Sequence, residues 1–224
     1  MTILDIVIPS FKDADDRGED LEFCVQAVRE YTEVAHRVLV ERSNASAAEN
    51  RNRALAKVSA PYVCFLDDDA WVTPGWAGVL LRRIQSDATI AMAGPKLKFE
   101  TGRIFCTGID YVPPDDFAPM GQGDADDGKH DFVHEPFAIA ATCLVVKTEA
   151  VHAVGGFDEQ FRSCQWEDLD YFLRLKSLGF RGVVDCAATV YHRNQFRTTH
   201  YEKNKELFMG KWKGKLDGFR PGLP

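Results

Sequence analysis

The sequence predicts an α/β domain built on a mostly parallel central sheet with helices on both faces. Two patterns carry this. Short runs such as Leu4-Asp5-Ile6-Val7-Ile8, Arg37-Val38-Leu39-Val40 and Tyr62-Val63-Cys64-Phe65-Leu66 show no regular apolar/polar alternation. That is the mark of strands covered on both faces, as in a parallel sheet. Between them, apolar residues recur at helical spacing, and strand–helix alternation implies helices packed over the sheet. The chain is also large enough for a complete core, with 224 residues of which 45% are apolar.

Taken in order, Leu4 to Ile8 is a strand ended by Pro9, and Leu21, Val25, Val28 and Tyr31 mark a helix. Arg37 to Val40 is the second strand, Ala45 to Val58 a helix, and Tyr62 to Leu66 the third strand. Pro74 to Ile84 is an amphipathic helix with proline at its start, and Thr89 to Met92 the next strand. Phe99 to Val133 is rich in Gly, Pro and Asp. Within it, Asp115 to Asp131 holds six acids against one lysine and reads as a mobile loop, either a solvated excursion or a lid over a site. Phe137 to Val146 is again a buried strand, Gly155-Gly156-Phe157-Asp158 a turn, Glu167 to Leu178 a helix stopped by Gly179, and Arg181 to Asp185 a final strand. From Lys203 to Arg220 six Lys/Arg face two acids, with Leu207, Phe208 and Trp212 interleaved. This is either a docking helix or a patch for a membrane surface or an acceptor.

Several classes drop out. The formal net charge of −7 argues against a general nucleic-acid binder. The longest apolar run, Pro136 to Val146, is far shorter than a membrane span. Asp5 inside the first apolar stretch, with no basic leader, does not read as a secretory signal. Six scattered cysteines without CxxC spacing read as reduced, buried thiols of a cytoplasmic protein.

Open parallel sheets bind ligands at the carboxyl ends of their strands. Those ends carry Pro9-Ser10-Phe11-Lys12-Asp13, Glu41-Arg42-Ser43-Asn44 and Asp67-Asp68-Asp69. Three adjacent carboxylates repel unless something positive binds them. A hard divalent cation bridging a diphosphate is one reading, and a solvated acidic turn the other. Trp166-Glu167-Asp168-Leu169-Asp170 places three acids at a helix start. They cap the helix dipole, or one of them serves as a general base toward a hydroxyl. His192 after the last strand is structural or a metal ligand.

The chain resembles the family 2 glycosyltransferases with the GT-A fold. The resemblance rests on Ile6-Val7-Ile8-Pro9-Ser10-Phe11, Arg51-Asn52-Arg53-Ala54-Leu55, Phe65-Leu66-Asp67-Asp68-Asp69 through Pro74-Gly75-Trp76, and Gly155 to Phe161 followed by Glu167 to Asp170 with Arg174-Leu175. His192 and Phe208-Met209-Gly210-Lys211-Trp212 follow in register.

The resemblance implies inverting transfer of a sugar from a nucleoside-diphosphate donor (UDP, GDP or dTDP) to a glycan, lipid-linked, protein or small-molecule hydroxyl. It implies that Pro9, Phe11, Asp13, Glu41 and Arg51 border the nucleotide, with Phe11 at the base. Asp67 and Asp68 would lie against the ribose. Asp69 would bind Mn²⁺ or Mg²⁺, with His192 as a second contact. Asp168 would be the base, and Trp166 and Glu167 would lie at the acceptor. Residues 1–98 would form the donor half, 99–202 the acceptor half and 203–224 a basic tail; in a cytoplasmic protein that tail is either a docking helix or a contact for the inner membrane face or the acceptor. A nucleotidyltransferase and a non-catalytic nucleotide-sugar-binding protein are the alternatives. The first would need a glycine-rich phosphate loop after the first strand, where Ser10-Phe11-Lys12-Asp13 has none.

Overall fold

The computed structural model describes residues 1–11, 17–193 and 199–219. Its elements are β1 (Leu4–Phe11), α1 (Arg17–Tyr31), β2 (His36–Ser43), α2 (Ala47–Leu55), β3 (Tyr62–Leu66), β4 (Ala70–Val72), α3 (Trp76–Gln85), β5 (Ile90–Lys98), β6 (Ile104–Cys106), β7 (Ile109–Val112), β8 (Asp116–Pro119), β9 (Val133–His134), β10 (Cys143–Lys147), α4 (Thr148–Val154), α5 (Glu167–Ser177), β11 (Arg181–His192) and α6 (Tyr201–Trp212).

The main sheet runs β2-β1-β3-β10-β5-β11-β4. Strands β2, β1, β3, β5 and β11 point one way, while β10 and β4 oppose them. Both faces are covered, as the apolar strands predict. Val7, Val63 and Phe65 pack on one side with Phe157, Tyr171 and Phe172. Ile6, Ile8, Cys64 and Leu66 pack on the other with Trp76, Leu80 and Val28. The period-two alternation of a strand splits these neighbours between two cores.

Asp5 is fully buried inside β1 because its cations and amides come to it. Parallel register sets it opposite Arg37. The guanidinium donates two 2.8 Å bonds to it, and the amides of Ser59 and Ala60 donate two more.

The structure departs from the sequence reading in specific places. Only Cys143–Lys147 of the apolar run from Phe137 is strand, and it inserts antiparallel between β3 and β5. Residues 137–139, 141 and 142 are buried without belonging to a strand, for apolarity reports burial and not conformation. β5 and β11 run beyond Met92 and Asp185, to Lys98 and His192. Pro95 pairs with Asp185 where the ladder breaks its register, so proline and a charge sit at an irregularity inside one strand pair. β4, β6 to β9 and α4 are too short for periodicity to reveal.

The acidic segment lies across β5. Lys96 donates to Asp126 at 2.6 Å and Asp131 at 2.5 Å, and Lys98 to Asp126 at 2.8 Å. The basic tail forms α6, which buries Phe208 and Trp212 in the core. None of the six cysteines is in a disulfide, and all except half-buried Cys164 are buried. Among the described residues, no helix is long and apolar enough to cross a membrane.

Candidate active site

β3 delivers Asp67, Asp68 and Asp69 at its carboxyl end, where the Ala70 amide donates back to the Asp67 carbonyl and turns the chain into β4. β4 then runs antiparallel to β11 with Ala70 opposite His192. That pairing places His192 Nε2 3.0 Å from Asp69 Oδ1 and 4.0 Å from Asp67 Oδ2. One ligand atom from each of Asp67, Asp69 and His192 falls within 4.8 Å of the others. Two carboxylates and one imidazole at that spacing suit Mn²⁺ or Mg²⁺ with coordination positions left for phosphate oxygens. Asp68 is buried beside them, outside this group.

Arg51, on α2, joins the two acid clusters. Its Nη2 donates to Asp67 at 2.9 Å and its Nη1 to Glu167 at 2.7 Å. Its guanidinium also lies 5.1 Å from the centre of the Phe157 ring. Burial works against its charge, but Asp67 and Glu167 hold it protonated. Both terminal nitrogens thus serve carboxylates.

Glu167 and Asp168 open α5, where the helix dipole favours negative charge. Burial is the largest influence on each and raises both proton affinities, and Arg51 opposes it. Glu167 is fully enclosed, whereas Asp168 is half-buried. Asp168 accepts from the amides of Leu169 at 2.9 Å and Ala141 at 3.3 Å. The turn before them is strained. Ser163, Gln165 and Trp166 have φ of 60°, 75° and 76°, a region that L-residues enter only when held. Trp166 is buried against Phe117 and Phe208.

The remaining expected residues are spread along the strand ends. Pro9 is buried opposite Glu41, and Phe11 is 44% exposed at the end of β1. Glu41 accepts from Lys57 at 2.7 Å. Asp13 lies outside the described residues. Sequence reading missed three asparagines. Asn50 donates to the Ser10 carbonyl and accepts from Ser43 Oγ at 2.6 Å, joining the ends of β1 and β2. Asn52 accepts from the Phe157 amide at 2.7 Å. Asn204 grips the strained turn. Their only sequence signal is a polar amide at an otherwise buried helical position.

The model of glycosyl transferase family 2 matches residues 14–107. The O-antigen biosynthesis protein RfbC of Myxococcus xanthus is 27% identical over 149 residues, which cover 63% of this chain and 12% of that protein. The pre-mycofactocin glycosyltransferase of Mycobacterium tuberculosis is 28% identical over 164 residues, 73% of this chain and 33% of that protein. A crystal structure of GalNAc-T7 with UDP, GalNAc and Mn²⁺ matches with a TM-score of 0.71 at 12% identity, over 97% of this chain and 49% of that one. The chain has the GT-A fold shared with that structure. It spans a third or less of these two relatives' lengths.

Proposed function

We propose that the chain is an inverting family 2 glycosyltransferase that moves a sugar from a nucleoside-diphosphate donor to a hydroxyl. The observation that carries this is the pair of acid clusters set apart and joined by Arg51. One is Asp67-Asp69-His192, the other Glu167-Asp168 at a helix start. Inverting transfer needs one base on the acceptor side and charge neutralisation on the leaving side, unlike a glycosidase with two facing carboxylates. The acceptor oxygen forms a bond to the anomeric carbon. The anomeric bond to the diphosphate breaks, and its electron pair leaves with the nucleotide.

Asp168 takes the hydroxyl proton. Half-exposed, it is reached by an acceptor, and burial raises its proton affinity. Its two amide bonds fix the carboxylate. Arg51 holds Asp67 in place and keeps the charge on Glu167 compensated. Asp69 and His192 would hold Mn²⁺ or Mg²⁺, with Asp67 within reach of the same ion. That ion, when bound, neutralises the charge developing on the diphosphate. Pro9, Phe11 and Glu41 lie at the strand ends where the base would sit, and Trp166 borders the acceptor side.

The test is Asp168→Asn. Nucleotide release from the donor should fall about 10²- to 10⁴-fold, with binding of UDP and Mn²⁺ retained. An unchanged rate removes Asp168 from the base role.

A further inference from the structure

We propose that Asn204 is a positioning residue for the transfer: from α6 it holds the strained turn 162–166 that aims Asp168. The proposal rests on the reading of Asp168 as the base.

Three residues of that turn have positive φ, and none is glycine. Such backbone relaxes unless neighbouring groups hold it. Asn204 supplies the grip. Its Oδ1 accepts from the Arg162 amide at 3.1 Å, and its Nδ2 donates to the carbonyls of Arg162, Cys164 and Gln165 at 2.8, 3.2 and 3.0 Å. A side-chain amide, with two N–H groups, one of them shared between two carbonyls, and an acceptor on one short stem, meets this set. The residue is 2% exposed although asparagine is a poor helix former, so the position spends helix propensity on these bonds.

The held turn leads straight into the site. Trp166 precedes Glu167 and Asp168, and the Trp166 carbonyl accepts the helix bond of the Asp170 amide. The same helix α6 grips that start a second time. Trp212 Nε1 donates to Asp170 at 2.9 Å, and Lys211 lies 2.6 Å from the same oxygen. The turn and the first turn of α5 are therefore clamped from one element, and Asn204 sets the part that the backbone would otherwise abandon. Asp168's own amide bonds orient its carboxylate but do not set where the helix begins.

The experiment compares Asn204→Ala in the wild-type and Asp168→Asn backgrounds. The probe is nucleotide release, with water as acceptor and Mn²⁺ present, from UDP-glucose, UDP-GlcNAc, UDP-GalNAc, GDP-mannose and dTDP-rhamnose. A second reading needs no turnover: the rate at which trypsin cleaves after Arg162, whose side chain is 61% exposed. The expected result is a fall in kcat of at least about tenfold with donor KM within about twofold, no further fall in the Asp168→Asn background, and trypsin cleavage at least about tenfold faster. Equal losses in both backgrounds, an unchanged kcat, a KM that rises in step, or unchanged trypsin cleavage overturns the proposal. Where Asn204→Ala does not fold, Asn204→Ser is read in the same way. If Asp168→Asn turns over normally, the base reading fails and the proposal with it. If Asp168→Asn is inactive and Asn204→Ala is not, only the proposal fails.

Discussion

Asp69 and His192 stand 123 positions apart, and one strand pairing brings them to 3.0 Å. A site assembled this way depends on each ligand. Asp69→Ala should weaken Mn²⁺-dependent binding of UDP by at least about 100-fold, the upper end of what losing even a metal ligand's supporting partner costs. Calorimetry with and without Mn²⁺ checks this, and unchanged binding removes Asp69 from the metal site. Asp5 shows the same dependence in the core. Burial raises its pKa, but Arg37 and the amides of Ser59 and Ala60 outweigh burial and leave it below the ordinary aspartate value. A group whose folded pKa is depressed contributes stability above its unfolded pKa and loses it as pH falls through the folded one. Asp5→Asn should therefore cost about 1–3 kcal/mol at pH 7, the range for losing hydrogen bonds to a charged group. The gap to wild type should close as pH drops below about 4. Denaturant unfolding at a series of pH values reads the difference directly, and a gap independent of pH contradicts the assignment.

At the scale of elements, α6 decides how the start of α5 is held. Its apolar side chains close the core over α5. Phe208 is fully buried and meets Phe117 edge-on, and its ring centre lies 5.2 Å from that of Trp166. The cations of α6 and of the residue after it are largely engaged with the domain: Lys211 with Asp158 and Asp170, Lys213 with Asp115, Lys205 over Trp166. Docking thus accounts for the apolar residues of the tail and engages part of its charge. Phe208→Ala removes a full aromatic ring from this junction and should cost about 3–5 kcal/mol, seen as a lower denaturant midpoint. Lys203→Ala, on the exposed face, should change stability by less than about 0.5 kcal/mol. A Phe208→Ala protein as stable as wild type would show that α6 is not integral to the fold.

For the whole molecule, the sheet places the ends of β1, β2 and β3 on one rim, and β4 folds back to carry β11 to the same rim. A ligand bound there stabilises the folded chain by mass action, by about 2.7 kcal/mol at 100 times its Kd. In a thermal-shift panel of UDP, GDP, dTDP and CDP with Mn²⁺, one nucleotide should raise Tm by several degrees, and EDTA should abolish the rise. A panel with no shift, or a shift that survives EDTA, counts against a metal-assisted donor site.

How much of this was legible follows from the range of each interaction. Binary pattern over five to ten residues is local, so β1, β3, α2, α3 and α5 could be read with boundaries shifted by a few positions. The acid clusters were legible as well, because like charges packed after an apolar strand or at a helix start are local oddities. The partners were not. Sequence reading set Arg51 at the nucleotide and Asp67 at the ribose. In the fold Arg51 joins Asp67 to Glu167, and Asp67 stands with Asp69 and His192. Asn204 carried only the signal of a polar amide at a buried helical position, and its partners were hidden, since its four bonds go to backbone atoms about 40 residues away. The sequence by itself determined the apolar strands buried on both faces and the places where acids cluster. The tertiary structure alone decided which acid meets which cation and how the turn before Asp168 is held, because such contacts depend on strand order and helix docking, which no local pattern encodes.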